Sequence, residues 1–198
     1  MSDKLFSKFN IYDQIGYFLV GSIAILVGLL NYQIFDFGEK IIDFSTETFI
    51  LWIIVAYFFG HVIHSIANVL IKENKVVFSD SEKEILDKAR IFFGVTKQSD
   101  NEVYLLCYML SSAKDITGQV QSFNAYYSLY RGWFVIFLLE MEFLAFSIFA
   151  FGLNFERSIY FGAVSLLVFL MSNRAQRFYN YSRSKTLQTF TLLEKLKM

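Results

Sequence analysis

Between Asp13 and Asp36 the chain runs for 22 residues without a Lys, Arg, Asp or Glu, centred on YFLVGSIAILVGLL. A helix needs about 20 apolar residues to cross roughly 30 Å of hydrocarbon, so this run is read as a membrane span. The theme recurs: TFILWIIVAYFFGHVIHSIANVLI lies between Glu47 and Lys72, and a third apolar stretch, holding Glu140 and Glu142, lies between Arg131 and Glu156. A fourth, SIYFGAVSLLVFLMSN, offers 16 residues before Arg174. It is short, and a snorkelling arginine extends it. Composition agrees, because 55% of residues are hydrophobic and only 18% are charged, against roughly 25% charged in soluble domains. The expected fold is an all-α integral membrane protein with four transmembrane helices and a small helical cytoplasmic bundle. Lys4 and Lys8 before the first run resemble the start of a signal peptide, but no A-x-A-like site follows, so an uncleaved anchor is expected.

The basic residues orient these spans. Lys and Arg number two before the first span, one in loop 33–48, eight in segment 72–131, one at Arg157 and six after residue 173. Sixteen therefore fall on one side and two on the other, which by the positive-inside rule puts both termini and the middle segment in the cytoplasm. The layout expected is 1–71 for the first two spans, 72–131 for a cytoplasmic insertion, 132–173 for the last two spans and 174–198 for a cytoplasmic helix extension.

The middle segment is too polar for lipid and carries two capping-box patterns, Ser81-x-x-Glu84 and Ser99-x-x-Glu102. Two short helices are expected there, the first from about Glu82 to Phe93, with Gly94 and Gly118 marking ends. The chain contains no proline, so nothing breaks the stretch from Gly118 into the third span, or the fourth span on its way to the C-terminus. Residues 158–197 as one helix would measure about 60 Å, twice the hydrocarbon thickness. In the first span Ala24 and Gly28 form a small-xxx-small pair that lets another helix approach closely. The single cysteine, Cys107, rules out an intrachain disulfide and reads as a buried apolar residue.

Glu140 and Glu142 are the costliest residues in the sequence. A carboxylate near the bilayer centre costs roughly 2.5–3.5 kcal/mol, so the pair nearly cancels the about 4–8 kcal/mol returned by the apolar residues of that span. Two positions apart on a helix means about 200° of rotation, so they cannot face one surface. His61, His64 and Asn68 form a polar stripe on the second span that continues to Lys72 and is expected to point inward. The imidazoles and the two carboxylates share a depth of about 12–16 Å below the basic boundary residues. Three readings stay open: hydrogen bonding across a helix interface, a conduction or gating path, and metal binding by the His pair with a Glu.

A second group is basic and aromatic. NRAQRFYNYSRSK at 173–185 interleaves Arg174, Arg177, Arg183 and Lys185 with Phe178, Tyr179 and Tyr181, and NAYYSLYR at 124–131 supplies Tyr127, Tyr130 and Arg131. Such residues grip anionic headgroups as an orientation signal, or stack bases and hold phosphates of a nucleotide or oligonucleotide. The formal net charge of zero points to no partner by itself. No nucleophile triad, phosphate-cradling glycine loop, Cys-based zinc site or H-E-x-x-H arrangement is present, so no enzymatic role or cofactor is expected and, the His–Glu reading aside, no metal.

The pieces Tyr12-Asp13-x-x-Gly16-Tyr17, Gly60-His61-x-x-His64-Ser65 and the run from Tyr126 to Arg131 resemble small inner-membrane proteins of bacterial anti-phage defence systems. The likeness covers most of the chain and is to the channel subunit of Hailong-type systems and, second, to the membrane subunit of Kiwa-type systems. Relatives of this sort often have Pro-Gly where this chain has Val20-Gly21. The Hailong-type likeness implies a homotetrameric channel held in check by the nucleotide product of a partner nucleotidyltransferase. The function expected is therefore an oligomeric pore effector gated through its cytoplasmic helices by a nucleotide-type ligand or partner protein. The alternative is a non-conducting scaffold or infection sensor that recruits a cytosolic effector.

Overall fold

A computed structural model describes residues 13–34, 46–71, 77–115, 117–152 and 154–196. Lys4, Lys8, Tyr12, Lys40, Lys72, Lys75 and Lys197, used above, lie outside the described residues. Among the described residues every regular element is a helix. A π-helical stretch, Asp13–Leu19, leads into α1 (Val20–Ile34); α2 (Thr46–Leu70), α3 (Asp80–Phe93), α4 (Asp100–Lys114), α5 (Gln119–Phe151) and α6 (Phe155–Lys195) follow. Three helical stretches are long and apolar enough to cross a membrane: Phe49–Leu70, Gln119–Phe151 and Phe155–Lys195. The apolar part of the first expected span is shorter, Gly16–Asn31. As the missing prolines suggested, α5 and α6 run unbroken through 33 and 41 residues.

The chain divides into two compact units, Met1–Ile71 with Ala125–Arg177, and Lys72–Asn124 with Phe178–Met198. The first unit is apolar, with a core of Val20, Ile63, Ala67, Leu129, Val135 and Ile136. Its close packing is made by glycines. A Cβ on Gly21 would stand 1.6 Å from the Ala56 carbonyl oxygen, and one on Gly60 would stand 2.0 Å from that of Tyr17. A Cβ on Gly132 would meet the Val20 side chain at 2.7 Å. Backbones can approach this closely only where side chains are absent, and without water such van der Waals contact is what holds membrane helices together. Gly28, expected to serve this purpose with Ala24, instead has nothing within 4 Å of its Cβ position. The helix contact runs along Tyr17 and Gly21, about one turn apart, and leaves Gly28 outside it. Within 155–177 Val164 alone is buried, and α6 presents Ile159, Leu166, Phe169 and Leu170 outward.

The second unit is built like a small water-exposed bundle. Phe78, Leu86, Ala89, Val103, Cys107, Leu187 and Phe190 form its core, while charged residues such as Asp80, Lys83, Glu84 and Lys88 stay exposed. The first capping box sits two residues earlier than expected. Ser79, not Ser81, is the N-cap of α3: its hydroxyl accepts from the Glu82 N–H at 3.4 Å and its own N–H donates to the Glu82 carboxylate at 2.9 Å. Buried Phe78 fixes the chain's entry, and Glu84, free of capping, pairs with Lys88 at 2.8 Å. The second box, Ser99 with Glu102, forms as read from the sequence. Gly94 closes α3 in the left-handed conformation at φ +67°, where a side chain would be strained. The C-terminal part of α6 buries Leu187, Phe190 and Leu193, while Tyr181 and Leu196 remain exposed.

Candidate functional site

The intramembrane polar residues separate into two groups. On α2, His64 Nε2 lies 2.7 Å from the Gly16 carbonyl, so that nitrogen carries the proton and donates it. His61, one turn earlier, stacks on the Tyr17 ring with centroids 3.9 Å apart and meets Tyr57 edge-on at 4.7 Å. Tyr17 also touches the His64 ring edge-on. The stripe thus fastens α2 to the segment that precedes α1. It is not wholly inward, because His61 and Asn68 are exposed. Asn68 accepts a hydrogen bond from the Arg131 guanidinium, which also stands 5.9 Å above the Tyr127 ring.

The carboxylates behave as their 200° separation requires. Glu140 is 4% exposed, and its Oε2 accepts a 2.6 Å hydrogen bond from Asn31 Nδ2 on α1. Glu142 is exposed, on a side of α5 that also turns Phe143, Phe146 and Phe149 outward. The Tyr160 phenol on α6 lies beside the Glu140 carboxyl, whose Oε1 has no hydrogen-bond partner; the same holds for Asn31 Oδ1. The expected meeting of imidazoles and carboxylates at one depth does not produce a shared site, since Glu140 turns to Asn31 and the histidines turn to Gly16 and Tyr17. Among the described residues no cluster of three His, Cys, Asp or Glu groups forms.

The basic and aromatic residues are divided between the units. Tyr127, Tyr130, Arg131, Arg174 and Arg177 belong to the first, and Tyr181, Arg183 and Lys185 to the second. Tyr130 meets Trp133 edge-on at 5.7 Å; Arg174 and Arg177 are exposed. Arg183 Nε is 2.9 Å from Glu82 Oε1, and its guanidinium lies 5.7 Å above the Phe78 ring. Tyr181 packs on Phe123 and Phe178 at 5.7 and 5.9 Å. Arg183 is thus engaged in holding the second unit together, since it ties α6 to the cap of α3. Lys185 acts on Asp115, whose carboxyl burial pushes up; hydrogen bonds from Thr117 and Val120 outweigh burial and hold it below the ordinary range. Burial also pushes the Tyr104 hydroxyl and the Cys107 thiol up to about 12, so both stay neutral.

Asn31 and Tyr160 went unmarked in the sequence. Asn31 had a signal, as an amide at the end of an apolar run, whereas a tyrosine in a membrane span carries none. The chain matches no family model, no curated protein and no solved structure.

Proposed function

We propose that the chain is an oligomeric pore-forming effector of a bacterial anti-phage defence system, set in the inner membrane by four spans with both termini in the cytoplasm. Glu142 carries this reading. A carboxylate exposed on a membrane helix, among outward-facing phenylalanines, costs roughly 2.5–3.5 kcal/mol unless water or another subunit meets it. A water-filled path between copies supplies both. The resemblance to Hailong-type channel subunits favours a tetramer, gated by a nucleotide-type ligand or partner acting on the cytoplasmic helices. Such a ligand would use the basic and aromatic residues of one unit or the other: Arg131, Arg174, Arg177, Tyr127 and Tyr130 in the first, or Arg183, Lys185 and Tyr181 in the second, where the Arg183–Glu82 pair is the contact it would displace.

Purified protein in planar bilayers should pass current, and Glu142→Gln should change its conductance or cation preference. A silent membrane, with the protein reconstituted and a panel of nucleotides applied, refutes the pore. The scaffold reading is favoured by one observation: the second unit exposes Val77, Ile91, Leu105 and Met109, an apolar surface suited to a partner protein. Co-purification of a soluble effector without ion flux would select it.

A further inference from the structure

Glu140 and Asn31 share one N–H, and one buried oxygen of each is left without a partner. The carboxylate offers about four acceptor positions and the amide oxygen two. One of these meets Asn31 Nδ2 at 2.6 Å, while Glu140 Oε1 and Asn31 Oδ1, both buried, have no partner. The Tyr160 phenol is hydrogen-bonded to the carboxyl, donating its O–H, and keeps its own oxygen lone pairs as a third possible ligand. Burying acceptors without donors is costly anywhere and most costly where lipid replaces water. The group therefore has more buried oxygen acceptors than donors to meet them, a surplus that a single bound cation would meet.

We propose that Glu140, Asn31 and Tyr160, from α5, α1 and α6, form a binding site for one dehydrated sodium-class cation within the membrane. The donor set is all oxygen, which suits hard cations rather than zinc or copper. A single carboxylate neutralises a monovalent ion; a divalent one would leave a net positive charge buried in a medium of low dielectric constant. Glu140 at 4% exposure is closed to bulk water, so the ion is held without its hydration shell and the three side chains replace it. Intramembrane carboxylates commonly mark such ion sites. The site stands whether or not the assembly conducts.

The full-length protein, purified in detergent and exchanged into choline chloride, is the material for the test. Equilibrium binding of radioactive sodium should saturate near one ion per chain. Replacing choline with sodium at constant ionic strength should raise the melting temperature as the site fills, because a ligand bound by the folded state alone stabilises it. Glu140→Gln, which keeps shape and loses charge, should abolish both effects; Tyr160→Phe should weaken binding about tenfold, the share of one lost ligand of roughly 1.4 kcal/mol. Glu156→Gln, at an exposed position, should bind as the wild type does. Should Glu140→Gln fail to give monodisperse protein, Tyr160→Phe carries the comparison. No sodium bound, equal binding by either site variant, or stabilisation that follows pH and ignores sodium would each overturn the site. Binding is read in detergent and current in a bilayer, so failure here is distinct from failure of the pore.

Discussion

Gly60→Ala is the sharpest perturbation of the membrane unit. The added methyl carbon would stand 2.0 Å from the Tyr17 carbonyl oxygen, where an ordinary carbon-to-oxygen contact is about 3.3 Å. Backbone on one side and helix on the other leave no rotamer to absorb this, so the segments must separate by about 1.3 Å. The Gly16 carbonyl, next to the obstructed one, would then retreat from His64 Nε2, now 2.7 Å away, to about 4.0 Å, beyond hydrogen-bonding reach. Losing that bond costs about 1 kcal/mol, and the packing strain adds roughly 1–3 kcal/mol. The stack of His61 on Tyr17, at 3.9 Å, opens with it. A loss of about 3 kcal/mol is expected, more than a hundredfold in the folding equilibrium. Gly28→Ala is the control, because nothing lies within 4 Å of its Cβ position; there alanine should be neutral or gain up to about 1 kcal/mol of helix propensity. Titration of the reconstituted protein with denaturing detergent, followed by circular dichroism, gives both numbers. Equal stability of Gly60→Ala and wild type, or an equal loss at Gly28, would refute the glycine-made contact.

Two further outcomes concern the second unit. Cys107, with its thiol pushed up to about 12 by burial, should react with maleimide at pH 8 roughly a thousandfold more slowly than the unfolded chain; labelling at equal rates would place the residue at the surface. Asp115 has a folded-state pKa held below its unfolded value, so its stabilisation is complete above the ordinary carboxylate range and is lost as pH falls through the folded value. Asp115→Ala should therefore cost about 1 kcal/mol at neutral pH, a gap that narrows in acid when melting temperatures are compared across pH.

The helices were legible because their signals are local. Runs without charge marked the apolar stretches, missing prolines predicted the length of α5 and α6, and Ser99 with Glu102 set one helix start. Two errors came from tertiary causes. Ser79 caps α3 beside Phe78, which is buried in the core, and a sequence window holding both Ser79-x-x-Glu82 and Ser81-x-x-Glu84 does not reveal which serine starts the helix. Gly21 and Gly60, rather than Gly28, make the close contact because the choice depends on which side of α1 meets α2. The site was half legible. Spacing alone predicted that Glu140 and Glu142 part company, and they do. It could not name Asn31 and Tyr160, which come from helices 109 residues before and 20 residues after Glu140.

In the proposed pore, the two carboxylates would link folding to assembly. Each threatens the insertion of α5, and each is met by a different kind of partner, because the helix turns them to opposite sides. Glu140 is met inside one chain, by an amide from α1, a phenol from α6 and the cation proposed above. Its side of the helix is finished once the chain has folded. Among the described residues Glu142 has no such group beside it, and it faces outward among phenylalanines. An unfinished side of this kind favours an arrangement in which copies surround water, since lipid leaves the charge unmet and another apolar surface would do the same. On the proposed pore reading, the spacing of two residues leaves one side of α5 complete within the chain and the other to be met by water between copies.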